Sequence, residues 1–211
     1  MTMFSSFWFL QEATLIYSAD ATNVNLLSDA VAVGFNATVG GVLNVVINSG
    51  ITLSGTTTNA ISSGNFPANS IVTITNNGTV SGYTGANGTS GATGGVGSDA
   101  FYAEFTASGS IWSIINNGTW GGGGGGGGSY GSRLTQYPDK YGSYCAAPTL
   151  IGSAGVAGGL GEAGTSGSNP GNPIAYGCWN YYAAAGGAAG YAVRKNGLTI
   201  ATTGTFLGTV G

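Results

Sequence analysis

Histidine is absent from the chain, and charged residues are scarce. Four Lys or Arg and seven Asp or Glu residues among 211 give a formal net charge of -3, so the positive field that holds nucleic acid is missing. General acid–base catalysis and catalytic zinc rely mostly on histidine or on paired carboxylates. The acidic residues are scattered, and only Asp99 and Glu104 lie fewer than eight residues apart. The composition therefore predicts a protein that is not an enzyme and uses no cofactor or metal.

Long apolar runs are also missing. The longest aromatic and aliphatic run, residues 7–10, has four residues, whereas a membrane-spanning helix needs about twenty. The first ten residues contain no Lys or Arg and no small-residue cleavage site after an apolar core, which is unlike a secretory signal peptide. We expect neither a membrane-spanning helix nor a signal peptide.

Only two cysteines are present, Cys145 and Cys178. Two cysteines exclude a disulfide framework and a four-cysteine zinc site. Both lie in the most aromatic parts of the chain, and two alternatives stay open for them: a disulfide bond or two buried thiols.

Glycine is abundant instead, with 42 residues, and amphipathic helix patterns are nearly absent. Gly, Ser, Thr and Asn disfavour helix interiors, so the fold class is predicted to be all-β or non-regular. Between residues 15 and 75, apolar residues alternate with small or polar ones and are separated by turn signals. This pattern predicts five or six short strands in a small sheet or β-helical layer. The alternating positions are Val24, Leu26, Val31, Val33, Phe35, Leu43, Val45 and Ile47.

A repeat of nine residues recurs after forty. Residues 74–82 (ITNNGTVSG) and 114–122 (IINNGTWGG) share six identical positions, and looser copies lie at 47–50 and 202–208. Each copy is typical of a strand followed by an Asn-Gly turn. The repeat predicts similar rungs stacked on one another.

Glycine recurs at every third position in two runs, 82–97 and 152–167. A period of three matches the polyproline-II conformation, in which one face in three can contact a neighbouring backbone. Collagen is excluded because the runs are short and lack proline, and a flexible linker would not keep this register. We predict a polyglycine-II helix bundle, to which the glycines 121–128 and the segment 183–190 contribute further, buried helices.

Tyrosine is concentrated in two segments, 129–150 and 168–182, which hold seven of the eleven tyrosines. Tyr, Trp and Arg dominate binding hot spots, so these aromatic loops are predicted to form a recognition surface, with 99–110 as a weaker third candidate. The alternative is that the tyrosines pack against the bundle and cap it. The candidate binding residues are Tyr130, Arg133, Tyr137, Asp139, Lys140, Tyr141, Tyr144, Tyr176, Trp179, Tyr181 and Tyr182.

These motifs together resemble a known family. The NNGT strand followed by glycines, the GxxGxx runs and the segment 186–205 are similar to the glycine-rich adhesins at the tips of tailed-bacteriophage tail fibres, over residues 42–211. The resemblance implies a virion protein at the distal tip of a tail fibre. It implies a separate chain that caps a trimeric fibre and folds as a polyglycine-II sandwich. Through loops corresponding to 99–110, 129–150 and 168–182, it would bind an outer-membrane protein or surface polysaccharide of the host.

The N-terminus departs from the family pattern through an aromatic cluster of Phe4, Phe7, Trp8 and Phe9. Exposed aromatics would promote aggregation, so they either pack under the strands or insert into a partner, and we predict that they attach the chain to the fibre. The predicted divisions are an N-terminal β region at 1–81, a receptor-binding domain at 82–190 and closing strands at 191–211.

Two other functions are compatible with the sequence. Ice-binding proteins also include polyglycine-II bundles, although tyrosine-rich irregular loops are unlike a flat ice-binding surface. A structural glycine-rich coat protein or a secreted bacterial adhesin is the other alternative.

Overall fold

The computed structural model describes residues 11–89, 92–104, 109–129, 132–139, 142–151, 154–168, 180–181 and 183–211. These residues form mainly β-strands and one short helix, α1 (Leu26–Ala32). The strands in chain order are β1 (Glu12–Tyr17), β2 (Ala21–Thr22), β3 (Val24–Asn25), β4 (Val42–Ile47), β5 (Thr52–Ser54), β6 (Ile61–Ser62), β7 (Ile71–Asn76), β8 (Thr79–Ser81), β9 (Phe101–Tyr102), β10 (Ile111–Asn116), β11 (Thr119–Gly121), β12 (Ser132–Asp139), β13 (Gly142–Ile151), β14 (Asn180–Tyr181), β15 (Val193–Arg194) and β16 (Ile200–Gly204).

Three parallel ladders form the base of the molecule. The first contains β1, β4, β7, β10 and β16, the second β2, β5, β8 and β11, and the third β3, β6, β9 and β15. The chain visits the three ladders in turn, so each of the first four coils contributes one strand to each ladder, and β16 adds a fifth strand to the first ladder. This arrangement is a three-sided β-solenoid, so of the two predicted alternatives, a small sheet or a β-helical layer, the second is confirmed. Seven strands lie between residues 12 and 76, rather than the five or six predicted.

Alternation along the strands places one row of side chains in the solenoid interior. In the first ladder, Leu43, Val45 and Ile47 of β4 are buried, and their neighbours are more exposed. The largest buried side chains meet at the centre, where the Phe66 ring lies 5.0 Å from the Trp112 ring in an edge-to-face contact. The interior is therefore an apolar core that the successive coils share.

The repeated nine-residue motif occupies neighbouring rungs, which confirms the prediction of stacking. Ile74 pairs with Ile114 in the first ladder, forty residues apart. At the end of these strands, the Asn76 side-chain amide donates to Asn116 Oδ1 at 2.8 Å. Buried polar groups require such partners, so the repeated asparagine stabilises the same corner in both coils.

Helix α1 corrects the predicted strands around Val31 and Val33. Its N-cap is Asn25, whose Oδ1 accepts a hydrogen bond from the Ser28 N–H at 3.0 Å. Leu26 and Ala30, four residues apart, are fully buried, whereas Val31 and Val33 are exposed. The prediction was wrong because local alternation could not show that a capped helical turn buries its apolar residues better. No helix among the described residues has the length and hydropathy to cross a membrane.

The glycine-rich segments leave the solenoid at one corner, between the second and third ladders. In the second coil, this corner is the short connection 55–60 between β5 and β6. In the third coil it expands to 82–100, and in the fourth to 122–192. Strands β9 to β11 and β15 thus belong to the same three ladders as β1 to β8.

Candidate functional site

Six extended segments form a bundle beside the solenoid. We call them S1 (82–88), S2 (92–98), S3 (121–129), S4 (154–161), S5 (162–168) and S6 (183–190). S3 begins in the solenoid, where Gly121 forms a bridge with Leu207, and it ends at Ser129. S1 and S5 run in the same direction as S3, and S2, S4 and S6 run back towards the solenoid. The bundle therefore has a base at the solenoid and a far end at the level of Ser129.

S3 lies at the centre and bonds to all five other segments. Every third residue of S3 bonds to the same neighbouring segments, so the residues of S3 form three sets. The N–H groups of Gly82, Gly85 and Gly88 in S1, for example, donate to S3 carbonyls at 2.8 to 3.0 Å. The second set, which bonds to S2 and S6, consists of Gly123, Gly126 and Ser129. The third set, which bonds to S4 and S5, consists of Gly122, Gly125 and Gly128. In this third set the Gly122 N–H donates to the Leu207 carbonyl of the last coil and not to S5.

Glycine is required at positions 122–128 of S3 because no side chain would fit there. The glycines 121–128 are all buried, as predicted. A Cβ atom built on any residue from Gly122 to Gly128 would lie much closer than 3.0 Å to backbone atoms of a neighbouring segment. The eight-glycine run is therefore the packing surface of the bundle rather than a linker.

The ring of segments around S3 is open on one side. Backbone hydrogen bonds join S1 to S2, S2 to S6, S6 to S5 and S5 to S4, but none among the described residues joins S4 to S1. At this opening the Gly127 N–H donates to Asn87 Oδ1 at 2.7 Å. The Gly124 N–H, one period earlier, has no hydrogen-bond partner within the described ranges. A side chain of S1 thus replaces part of a sixth neighbour.

An ion pair joins two returning segments at the base. The buried Asp99, which follows S2, accepts hydrogen bonds from Arg194 Nε at 2.5 Å and Nη2 at 3.1 Å. It also accepts one from the Tyr191 N–H at 2.7 Å. The hydrogen bond to Asp99 raises the pKa of Arg194, whose guanidinium lies 4.2 Å from the centre of the Tyr191 ring. Sequence reasoning missed this pair, because 95 residues separate its members and no motif marks them.

The far end of the bundle carries a separate antiparallel sheet. S3 leads into β12, β12 pairs with β13 in an antiparallel hairpin, and β13 leads back into S4. Strand β14, which precedes S6, pairs with the other edge of β12. The same end thus receives the two chain segments that connect S3 to S4 and S5 to S6.

Comparison with known proteins accounts for this architecture. The family model described as phage tail fibre adhesin Gp38 matches residues 12–211. The chain belongs to this family. It is thus a phage tail fibre adhesin, a protein of the virion rather than a member of an enzyme class, and the resemblance seen in the sequence is confirmed.

One solved structure is similar in fold to this adhesin. It is described as the crystal structure of the gp37-gp38 adhesin tip complex of the bacteriophage S16 long tail fiber. The TM-score is 0.57 at 19% sequence identity, and the match covers 94% of this chain and 82% of that chain. Comparison with curated protein sequences gave no significant match.

The adhesin has five of the predicted binding residues in the far-end sheet. Arg133, Tyr137 and Asp139 lie in β12, Tyr144 in β13 and Tyr181 in β14. Tyr137 and Tyr144 are direct partners across the hairpin. The predicted loop at 129–150 is wrong in its described part, which is a pair of strands. Tyr130, Lys140, Tyr141, Tyr176, Trp179 and Tyr182 lie outside the described residues, as do Phe4, Phe7, Trp8, Phe9 and Cys178.

The third predicted loop, 99–110, belongs to the solenoid of the adhesin in its described part. Ala100 and Phe101 are fully buried, and Phe101 lies against Trp112 with ring centroids 5.9 Å apart. Buried core residues cannot contact a receptor. The described part is not the predicted loop, because β9 pairs with β6 and β15 in the third ladder and Ala100, Phe101 and Ala103 are buried. A binding role for the partly buried Tyr102 and Glu104 stays a prediction.

Proposed function

We propose that this adhesin sits at the tip of the tail fibre and binds a receptor on the host cell surface with the far end of its glycine bundle. The observation that carries the proposal is topological. Both tyrosine-rich segments, 129–150 and 168–182, connect bundle segments at the same end. They can therefore act as one surface, and the receptor is an outer-membrane protein or a surface polysaccharide.

We propose further that S1 to S6 are polyglycine-II helices. The period of three in the hydrogen bonds supports this conformation, since a polyglycine-II helix has three residues per turn and no internal hydrogen bonds. The absence of space for Cβ atoms along S3 supports it too. Such a bundle presents its far end on a rigid support, which lowers the ordering cost of binding.

The proposed partner at the other end of the chain is a tail fibre protein. The resemblance to the tail-fibre adhesins implies that this protein is a trimer. Its contact would be the aromatic N-terminal cluster of Phe4, Phe7, Trp8 and Phe9, which precedes the first coil of the solenoid. The glycine segments leave from the third and fourth coils. Fibre attachment and receptor binding would thus use different parts of the molecule.

Hydrolysis of the receptor is not part of the proposed function. The chain offers no histidine, and the family is one of adhesins. We expect the purified protein to release no sugar from host lipopolysaccharide or capsule. Release that copurifies with the protein through successive columns would contradict this.

The main test truncates aromatic side chains at the far end. Tyr137→Ala and Trp179→Ala should each weaken receptor binding about thirtyfold to nearly a thousandfold, as for hot-spot residues worth about 2 to 4 kcal/mol. The readout is the adsorption rate of phage to host cells, with counts of intact fibres by negative-stain microscopy. Fibre counts should not change.

A matched control is Tyr83→Ala. Tyr83 is exposed, at 38%, and it lies in S1 near the base of the bundle. Adsorption should be unaffected by this change. Normal adsorption of the Tyr137 and Trp179 variants, with loss only in the control, would place the binding surface on the side of the bundle.

A further inference from the structure

Four asparagines in the chain precede a glycine: Asn77, Asn87, Asn117 and Asn196. An Asn-Gly pair can deamidate when the glycine nitrogen attacks the side-chain carbonyl carbon of the asparagine. The reaction is fast at glycine because no side chain hinders the attack. It requires a glycine amide that is free to rotate and to lose its proton.

Three of the four glycine amides are held by hydrogen bonds. The Gly78 N–H donates to Asn76 Oδ1 at 3.0 Å, and the Gly118 N–H donates to Asn116 Oδ1 at 3.2 Å. The Gly88 N–H donates to the Gly127 carbonyl at 2.8 Å within the bundle. Attack at these sites requires local opening of the solenoid corner or of the bundle, which costs free energy.

The fourth pair lies in an exposed turn. Asn196 and Gly197 have φ values of 46° and 84°, and the Leu198 N–H donates to the Lys195 carbonyl at 2.9 Å. This is the pattern of a type I′ turn, and both central residues are exposed. The Gly197 N–H has no hydrogen-bond partner in the described part of the chain.

We propose that Asn196 is the site at which this protein deamidates in its folded state. The Gly197 nitrogen loses its proton and forms a bond to Asn196 Cγ. Nδ2 gains a proton, its bond to Cγ breaks, and ammonia leaves. Water then opens the resulting succinimide at either carbonyl. The products are aspartate or isoaspartate at position 196, with one additional negative charge.

The modification removes a tertiary contact. Asn196 Nδ2 donates to the Ala103 carbonyl at 2.6 Å, which ties the turn after β15 to the residue that follows β9. A carboxylate can only accept hydrogen bonds, so it would repel this carbonyl, and Glu104 is the next residue. Deamidation therefore weakens the contact between the turn that follows β15 and the residue that follows β9.

The test follows the rate of deamidation at each site in the folded protein at mildly alkaline pH. The tryptic peptide 196–211 contains a single asparagine and no glutamine, so a mass increase of this peptide reports position 196 alone. Fragmentation of the peptide 1–133 reports the other three sites, and a sample digested at time zero corrects for reaction during digestion.

The expected result is a rate at position 196 at least about tenfold above the other three, equivalent to about 1.4 kcal/mol of opening cost at those sites. In concentrated urea, the four rates should become similar, because the hydrogen bonds are lost. A folded-state rate at Asn77, Asn87 or Asn117 equal to that at Asn196 would overturn the proposal. So would a difference that persists unchanged in urea.

Discussion

Adjacent glycines of the bundle differ in what surrounds them. A Cβ atom built on Gly158 would meet the backbone carbonyls of Glu162 and Ala163 at much less than 3.0 Å. A Cβ atom on Gly159 would meet only the end of the Glu162 side chain, at 3.3 Å. Gly158, which belongs to the period of three, is therefore required by packing, whereas Gly159, which does not belong to it, is not.

This difference predicts that one of two neighbouring substitutions destabilises the protein and the other does not. Gly158→Ala should lower the free energy of unfolding by about 1 to 3 kcal/mol or more, as overpacking does. Gly159→Ala should change it by less than about 0.5 kcal/mol. Urea denaturation of both variants is the measurement. Equal stability of the two proteins would show that S4 does not keep this register against S5.

At the scale of elements, the bundle is completed by a side chain on its open side. Asn87 occupies a position that faces the opening between S1 and S4, and its Oδ1 accepts from the Gly127 N–H. Thr84 lies three residues earlier in S1, so it faces the same opening. Its side chain is too short to serve the Gly124 N–H in the same way.

The Gly124 N–H, which has no partner in the described part of the chain, predicts a stabilising substitution. Thr84→Asn should supply an amide oxygen to this buried N–H and raise the free energy of unfolding by about 1 kcal/mol, the usual net value of a hydrogen bond. Asn87→Ala is the reciprocal change and should lower it by about 1 to 3 kcal/mol, because a buried donor loses its partner. Thermal unfolding of both variants and of Thr84→Ser, whose side chain is also short, measures the effect. A Thr84→Asn protein no more stable than Thr84→Ser would contradict the assignment.

At the scale of the whole molecule, attachment and folding are separable if the N-terminal aromatics contact the fibre. The first described strand is β1, from Glu12, and the family match begins at residue 12. If Phe7 and Trp8 contact the fibre and not the strands, the double variant Phe7→Ser and Trp8→Ser should fold normally. It should lose the hot-spot contacts of the fibre interface, at about 2 kcal/mol or more each.

The measurement is copurification of the variant with the tail fibre protein, beside its circular dichroism spectrum. Val31→Ser is the control, because Val31 is an apolar residue of the solenoid exposed at 47%. Copurification should fail for the double variant and succeed for the control. A double variant that unfolds would instead support packing of the aromatics under the strands.

Much of the local structure follows from periodicity that is visible in the sequence. Alternation along 42–47 and 71–76 predicts strands with one buried face, and the forty-residue repeat predicts their stacking. The buried run of eight glycines was also predictable, because a segment without side chains can only be stabilised by close backbone contacts. These properties depend on neighbouring residues, so they can be read without knowledge of the fold.

The remaining features depend on contacts between distant residues. Leu26 to Ala32 became a helix because Asn25 caps it and the first coil buries two of its residues. Ala100, Phe101 and Ala103 became core because β9 had to pair with β6 and β15. The choice of S3 as the central segment, the open side beside S1 and the meeting of both tyrosine-rich segments at one end were decided only by how the chain returns to the solenoid. The period of three predicts which face of each segment consists of glycine. It does not predict which segments pack together, because all glycine faces are alike. The path by which the chain returns to the solenoid decides that pairing.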